Sequence, residues 1–184
     1  MDNVLLEEPI PGSRIFLCDF GIAKRLSTLK QRTTTVVGTV EYSAPEIFST
    51  SLELEEDTAS FTLNLESNMR NKDGYDYKCD MWSLGVVVHI LLSGISPFYN
   101  EETDIQIVKS AATGMLNLEK LKWRTVSHEA KDFVKHLLQV NPSVRFNVAS
   151  CFDHPWIASR KRQLDQIYRL KVIRSTTKGL HINL

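Results

Sequence analysis

Asp19-Phe20-Gly21 directly follows a β-prone run, Arg14 to Cys18. A carboxylate at a strand end can hold a divalent cation, and the nearby glycine lets the chain turn sharply. Alone, the tripeptide would equally suit an acidic turn after an edge strand. Further groups follow it in a fixed order: Gly38-Thr39-Val40-Glu41-Tyr42-Ser43-Ala44-Pro45-Glu46, Asp80-Met81-Trp82-Ser83-Leu84-Gly85, Ser96-Pro97-Phe98, then Arg145, and His154-Pro155-Trp156. Chance does not order so many motifs, and each needs an element to hold it.

The elements are legible in part. Val4-Leu5-Leu6, the turn signal from Pro9 to Gly12, and Arg14 to Cys18 predict a β-hairpin. From Ser27 to Gly38 a polar, basic stretch without an apolar period reads as an exposed loop. Residues 48–73 carry Glu53, Glu55, Glu56, Asp57 and Glu66 among Ser, Thr and Asn and read as a disordered acidic insert. Helices are predicted over Asp80 to Leu92, ended by Ser93-Gly94, and over Thr103 to Thr113, ended by Gly114. Ala130, Phe133, Val134, Leu137 and Leu138 share one helical face, with Ser127 as N-cap and Pro142 beyond the end. Leu164, Ile167, Tyr168 and Lys171 predict a last helix before a basic tail. Trp82, Leu84, Val86, Val87, Ile90, Leu91 and Leu92 are all assigned to the core, because that helix is apolar around most of its circumference.

Composition excludes several classes. The 184 residues suit one compact domain, with 42% hydrophobic and 24% charged residues. Twenty-two basic residues balance twenty-two acidic ones, which argues against direct nucleic-acid binding through a strongly positive domain. Met81 to Phe98 is the most apolar stretch, but polar residues, glycines and a proline interrupt it, so no membrane anchor is expected. The chain opens without the basic start and apolar run of a secretory signal. Cys18, Cys79 and Cys151 are odd in number and widely spaced, indicating neither a disulfide framework nor a zinc site and fitting a reducing compartment.

The ordered motifs resemble the eukaryotic protein kinase family, serine/threonine type, from the end of its catalytic loop to its final helix. The expected fold is mainly α, a kinase-like C-terminal lobe with a short β-hairpin at its start and no N-lobe. The resemblance places the lobe at residues 1–160, with an activation segment at 19–46, and a C-terminal helix and basic tail at 161–184. It implies ATP and Mg²⁺ as cofactors of the complete kinase, with Asp19 and Asn3 as the metal ligands and Cys18 lining the nucleotide pocket. Glu46 and Arg145 would form a structural ion pair. Asp80 would accept hydrogen bonds from the catalytic-loop backbone, although a carboxylate there also suits the helix dipole, and Trp82 beside it is structural.

The resemblance also assigns the loop that meets the substrate. Gly38 and Thr39 match serine/threonine kinases, Ile22 favours threonine as acceptor, and Asp2 would contact an arginine upstream of it, so protein substrates with basic residues before the threonine are expected. Thr33, Thr34 and Thr35 are candidate activation phosphosites, Thr35 foremost, since a phosphate there adds roughly −1.5 to −2 charge and can order the loop against Lys24, Arg25, Lys30 and Arg32. Val40 stands where many kinases have proline. G-Y-D-Y-K-C-D-M-W-S-L-G-V, L-S-G-I-S-P-F-Y and the insert after A-P-E are similar to the meiosis-specific serine/threonine kinases of budding yeasts, relatives of the forkhead-associated checkpoint kinases. That likeness implies a nuclear role in meiotic recombination checkpoint signalling; otherwise the cytoplasm is expected.

The sequence contains no Gly-rich loop, no strand lysine and no H-R-D aspartate. Counting back from Asn3 puts that aspartate before Met1. The expectation is a C-lobe fragment, inactive alone and dependent on its missing N-lobe. The alternative is a noncatalytic interaction module or a pseudokinase-like regulator.

Overall fold

The computed structural model describes residues 3–9, 12–28, 31–33, 38–48, 74–98 and 103–173. The chain forms two compact units, one of residues 24–151 and one of residues 1–23 with 152–184. The sequence expectations for Asp2, Thr34, Thr35, Lys30, nearly all of the acidic insert and the tail from Arg174 lie outside the described residues.

In the unit that holds the chain start, β1 (Val4–Leu6) and β2 (Ile15–Leu17) pair antiparallel, Val4 opposite Leu17 and Leu6 opposite Ile15. The predicted hairpin is present. All of its strand residues are exposed, Leu17 to 65%, so pairing and not burial holds the ribbon together. Arg14 stabilises its mouth through an ion pair to Glu7 at 3.6 Å.

The larger unit is helical. α1 (Lys78–Ser93) starts two residues before the predicted helix and closes on Gly94, whose N–H reaches Ile90 O at 2.7 Å. α2 (Asp104–Thr113) opens on Thr103, whose Oγ1 accepts from Gln106 N at 3.3 Å. α3 (His128–Leu137) opens on Ser127, whose Oγ accepts from Ala130 N at 3.2 Å. Its predicted stripe, Ala130, Phe133, Val134, Leu137 and Leu138, is buried throughout. α3 packs on α1 at Gly85, where a Cβ would lie 2.8 Å from Leu138 Cδ2 and 2.9 Å from Leu137 Cβ. Only glycine allows that approach.

The core centres on Trp82, Trp123, Val86, Val134 and Leu137, with Trp82 stacked on Phe98 at 5.2 Å between ring centroids. Two of the α1 residues assigned to the core are instead exposed, Leu84 and Leu91. They stand seven residues apart and so share one stripe of the helix. Uniform apolarity gives no period with which to find that stripe. Val87, Ile90 and Leu92 are only partly buried, whereas His89, which the sequence did not place inside, is buried.

Short elements complete the chain: α4 (Val148–Asp153), α5 (Pro155–Ala158) with His154 as its cap, and α6 (Lys161–Ile167), which continues as π-helix over Tyr168–Ile173. The last helix is where the sequence expects it, yet among its described side chains Leu164 and Tyr168 are exposed and only Ile167 is partly buried. Among the described residues no helix is long and apolar enough to cross a membrane.

Candidate functional site

Hairpin register brings Asn3 and Asp19 together. Cys18 N donates to Asn3 O at 3.1 Å, continuing the β1–β2 ladder by one pair and leaving Asp19 one residue beyond it. Asp19 has φ 62, the one positive φ among described non-glycine residues. Aspartate tolerates this left-handed conformation better than most side chains, and a non-glycine residue held there is a common mark of a functional turn. The Asp19 carboxylate accepts from Gly21 N at 3.3 Å, and Ala23 N closes the following turn on Phe20 O at 3.0 Å. Asn3, Asp19, Phe20 and Ile22 are exposed, and Cys18 is half-buried.

An exposed carboxylate and a carboxamide at one hairpin end offer hard oxygen donors. This donor set suits Mg²⁺, which takes oxygen ligands and keeps several waters.

In the larger unit the stretch from Gly38 to Phe48 is held from beneath. Gly38 and Thr39 are exposed; Val40–Tyr42 and Pro45–Ile47 form two 3₁₀ turns, and Ser43 Oγ donates to Thr39 O at 3.0 Å. Ser83 Oγ on α1 donates to Tyr42 O at 2.8 Å. Glu46 receives both prongs of Arg145, Nη1 to Oε1 at 2.6 Å and Nη2 to Oε2 at 2.9 Å. Arg145 also donates to Gln139 O at 2.9 Å, Lys78 O at 2.7 Å and Val140 O at 3.2 Å, so every guanidinium N–H has an acceptor. Its Cζ lies 5.1 Å from the Trp82 ring centroid, and Lys78 Nζ donates to the Arg145 carbonyl. The expected ion pair is present, with Trp82 as its apolar floor.

Asp80 sits in the first turn of α1 and is exposed, its carboxylate 3.8 Å from Cys79 Sγ. Burial, then the Asp80 and Glu46 charges, pushes the Cys79 thiol up to about 12, which keeps it protonated and unreactive.

Thr33 is the one candidate phosphosite among the described residues, and it is buried. It pairs with Tyr75, and its Oγ1 accepts from Lys24 Nζ at 2.9 Å. A hydroxyl so enclosed is not presented to an incoming kinase, so this conformation does not suit the acceptor role the sequence reading gave Thr33. The parts played by Ser83, Lys78, Gly74 and Tyr75 were not found from sequence. Each is a single polar or small residue whose partner lies dozens of positions away, and no local pattern marks it.

A protein kinase domain is matched across residues 1–157, and the chain belongs to the protein kinase family. It is 44% identical over 173 residues to the meiosis-specific serine/threonine-protein kinase MEK1 of Saccharomyces cerevisiae, covering 94% of this chain and 34% of that protein. It is 34% identical over 161 residues to the meiosis-specific serine/threonine-protein kinase mek1 of Schizosaccharomyces pombe, covering 88% and 32%. Calcium-dependent protein kinase 3 of Plasmodium berghei is 31% identical over 160 residues, covering 87% and 24%. The chain therefore spans about a third of the length of the two meiotic relatives. Protein kinases as a family use ATP and Mg²⁺.

Proposed function

We propose that this chain forms the metal-ligand, activation-segment and substrate-loop part of an ATP-dependent protein serine/threonine kinase that prefers threonine. The observation that carries this reading is Asp19, held in a left-handed turn one residue past the pair that Asn3 makes with Cys18. Asp19 and Asn3 would hold Mg²⁺, which when bound neutralises phosphate charge. The Gly21 N–H fixes one carboxylate oxygen of Asp19, and the hairpin ladder fixes the distance along the chain to Asn3. Cys18 would line the nucleotide pocket. Gly38 and Thr39, supported from α1 by Ser83 and from Arg145 through Glu46, would present the acceptor threonine, with Ile22 and Asp2 selecting it and a basic residue upstream. Asp80 would tie the catalytic loop to α1.

The domain reading has the lobe at 1–160 and a helix and basic tail at 161–184, with Thr35 and Thr34 as activating phosphosites. Likeness to the two meiotic kinases supports a nuclear role in meiotic recombination checkpoint signalling. The 184 residues contain no H-R-D aspartate, strand lysine or Gly-rich loop, so phosphotransfer is assigned to a longer chain that carries them. The test is Mg²⁺-dependent phosphorylation of a threonine peptide with upstream arginines. If a kinase carrying all these motifs stays silent, the noncatalytic interaction module or pseudokinase-like regulator takes its place.

A further inference from the structure

The segment that follows Asp19 is tied down at a point outside the ion pair and the substrate loop. Thr33 and Tyr75 exchange backbone hydrogen bonds, Thr33 N to Tyr75 O at 2.9 Å and Tyr75 N to Thr33 O at 2.8 Å. They form an antiparallel bridge, and each residue is 8% exposed. Arg32 Nη1 donates to Gly74 O at 3.2 Å, and Lys24 Nζ donates to Thr33 Oγ1 at 2.9 Å. Gly74 stands at φ +66, where a Cβ would lie 3.0 Å from both Arg32 Cβ and Thr33 O. Glycine is required there for conformation and for space.

Buried backbone groups that lose a partner cost free energy, so such a reciprocal pair opens as a unit. Tyr75 lies just before α1, the helix whose Ser83 also supports Tyr42. The residues leading into α1, and α1 itself through Ser83, therefore hold the chain on both sides of Gly38 and Thr39.

We propose that Lys24, Thr33, Gly74 and Tyr75 are positioning residues, an anchor that fixes the activation segment to the start of α1 and so sets where Gly38 and Thr39 meet a protein substrate. The substrate role rests on the kinase reading above; the anchor itself does not. Thr33 then serves through its buried hydroxyl and backbone, and its modification is incompatible with the closed anchor.

The experiment is residue-resolved amide hydrogen exchange on the full-length kinase, with peptide kinetics on the same preparations. In the native enzyme the Thr33 and Tyr75 amides should be protected and exchange at one common rate. Gly74→Val should speed both by about tenfold or more while the α3 amides keep their rates. Thr33→Val, which keeps the backbone pair and side-chain shape but loses the Lys24 bond, should move both the same way by less. Both variants should raise the KM for a threonine peptide at least about threefold and leave the KM for ATP unchanged, a split that a general loss of stability does not produce.

Unprotected Thr33 and Tyr75 amides in the native enzyme, or Gly74→Val exchanging as slowly as native, would overturn the anchor while leaving the kinase reading intact. Released amides with an unchanged peptide KM would overturn the positioning role. Protected amides in an enzyme with no transferase activity would sink the kinase reading and the positioning role together, with the anchor itself standing.

Discussion

Arg145 and Glu46, ninety-nine residues apart, meet in a two-pronged ion pair at 2.6 and 2.9 Å, with the arginine side chain fully enclosed. The 3₁₀ turn Pro45–Ile47 is thereby fastened to the loop after α3. Arg145→Met should cost about 3–5 kcal/mol, the range for removing one partner of a buried pair, because it strands Glu46 and three backbone carbonyls. Glu46→Gln keeps the shape but loses the charge and one of the two acceptors, leaving its amide NH2 facing an Arg145 N–H, and should cost about 1–3 kcal/mol. Urea denaturation of the kinase and both variants checks the order. Equal losses would show that the backbone carbonyls contribute nothing.

Gly85→Ala tests the α1–α3 contact. A methyl there would press on Leu137 and Leu138 from 2.8–2.9 Å, and overpacking of this kind costs about 1–3 kcal/mol. The melting temperature should fall, and the losses from Gly85→Ala and Leu138→Ala should be less than additive in the double variant. A single variant as stable as native would mean the two helices separate without cost.

His89 gives the fold a pH dependence. Burial lowers its pKa from 6.5, outweighing the bond from its Nδ1 to Ile95 O at 2.9 Å, and the Lys120 charge lowers it further. Ser93 and the Trp123 ring enclose it. Below pH 6.5 the unfolded chain therefore binds a proton that the folded chain resists. Stability from this group is whole above the unfolded value and falls with pH, by at most about 1.4 kcal/mol per unit. His89→Asn, which can still donate to Ile95 O, should flatten unfolding free energies measured between pH 7 and 5. An unchanged slope would assign the dependence elsewhere.

Much of this was legible in the sequence, for physical reasons that differ by element. The α3 stripe shows because one face is buried and the other wet, which imposes a period on the sequence. α1 carries apolar residues on every side, so Leu84 and Leu91 could not be told from Val86. The hairpin follows from short β-prone runs around a turn, whereas the metal-ligand reading of Asn3 and Asp19 came only through family resemblance. The Glu46–Arg145 pair came only through family resemblance, since no local pattern links residues so far apart. The Thr33–Tyr75 bridge left no trace, because backbone pairing uses no side-chain code and Gly74 alone hints at a turn.

Asp19→Asn separates fold from chemistry. Asparagine also tolerates the left-handed conformation, so the melting temperature should hold. On the metal-ligand reading proposed for Asp19, the variant removes several kcal/mol of charge stabilisation, and kcat of the full-length kinase should drop by about 10³. A variant that loses stability in step with activity would make Asp19 a structural residue.

On the function proposed above, Asn3 and Asp19 form one part of a kinase site and need the remaining motifs for phosphate transfer. The direct measurement is Mg²⁺–ATP phosphotransfer to a threonine peptide with upstream arginines, by the 184-residue chain beside the full-length kinase. Transfer is expected from the full-length enzyme alone, and Asp19→Asn should abolish it. Transfer by the 184 residues on their own, or full activity after Asp19→Asn, would contradict that expectation.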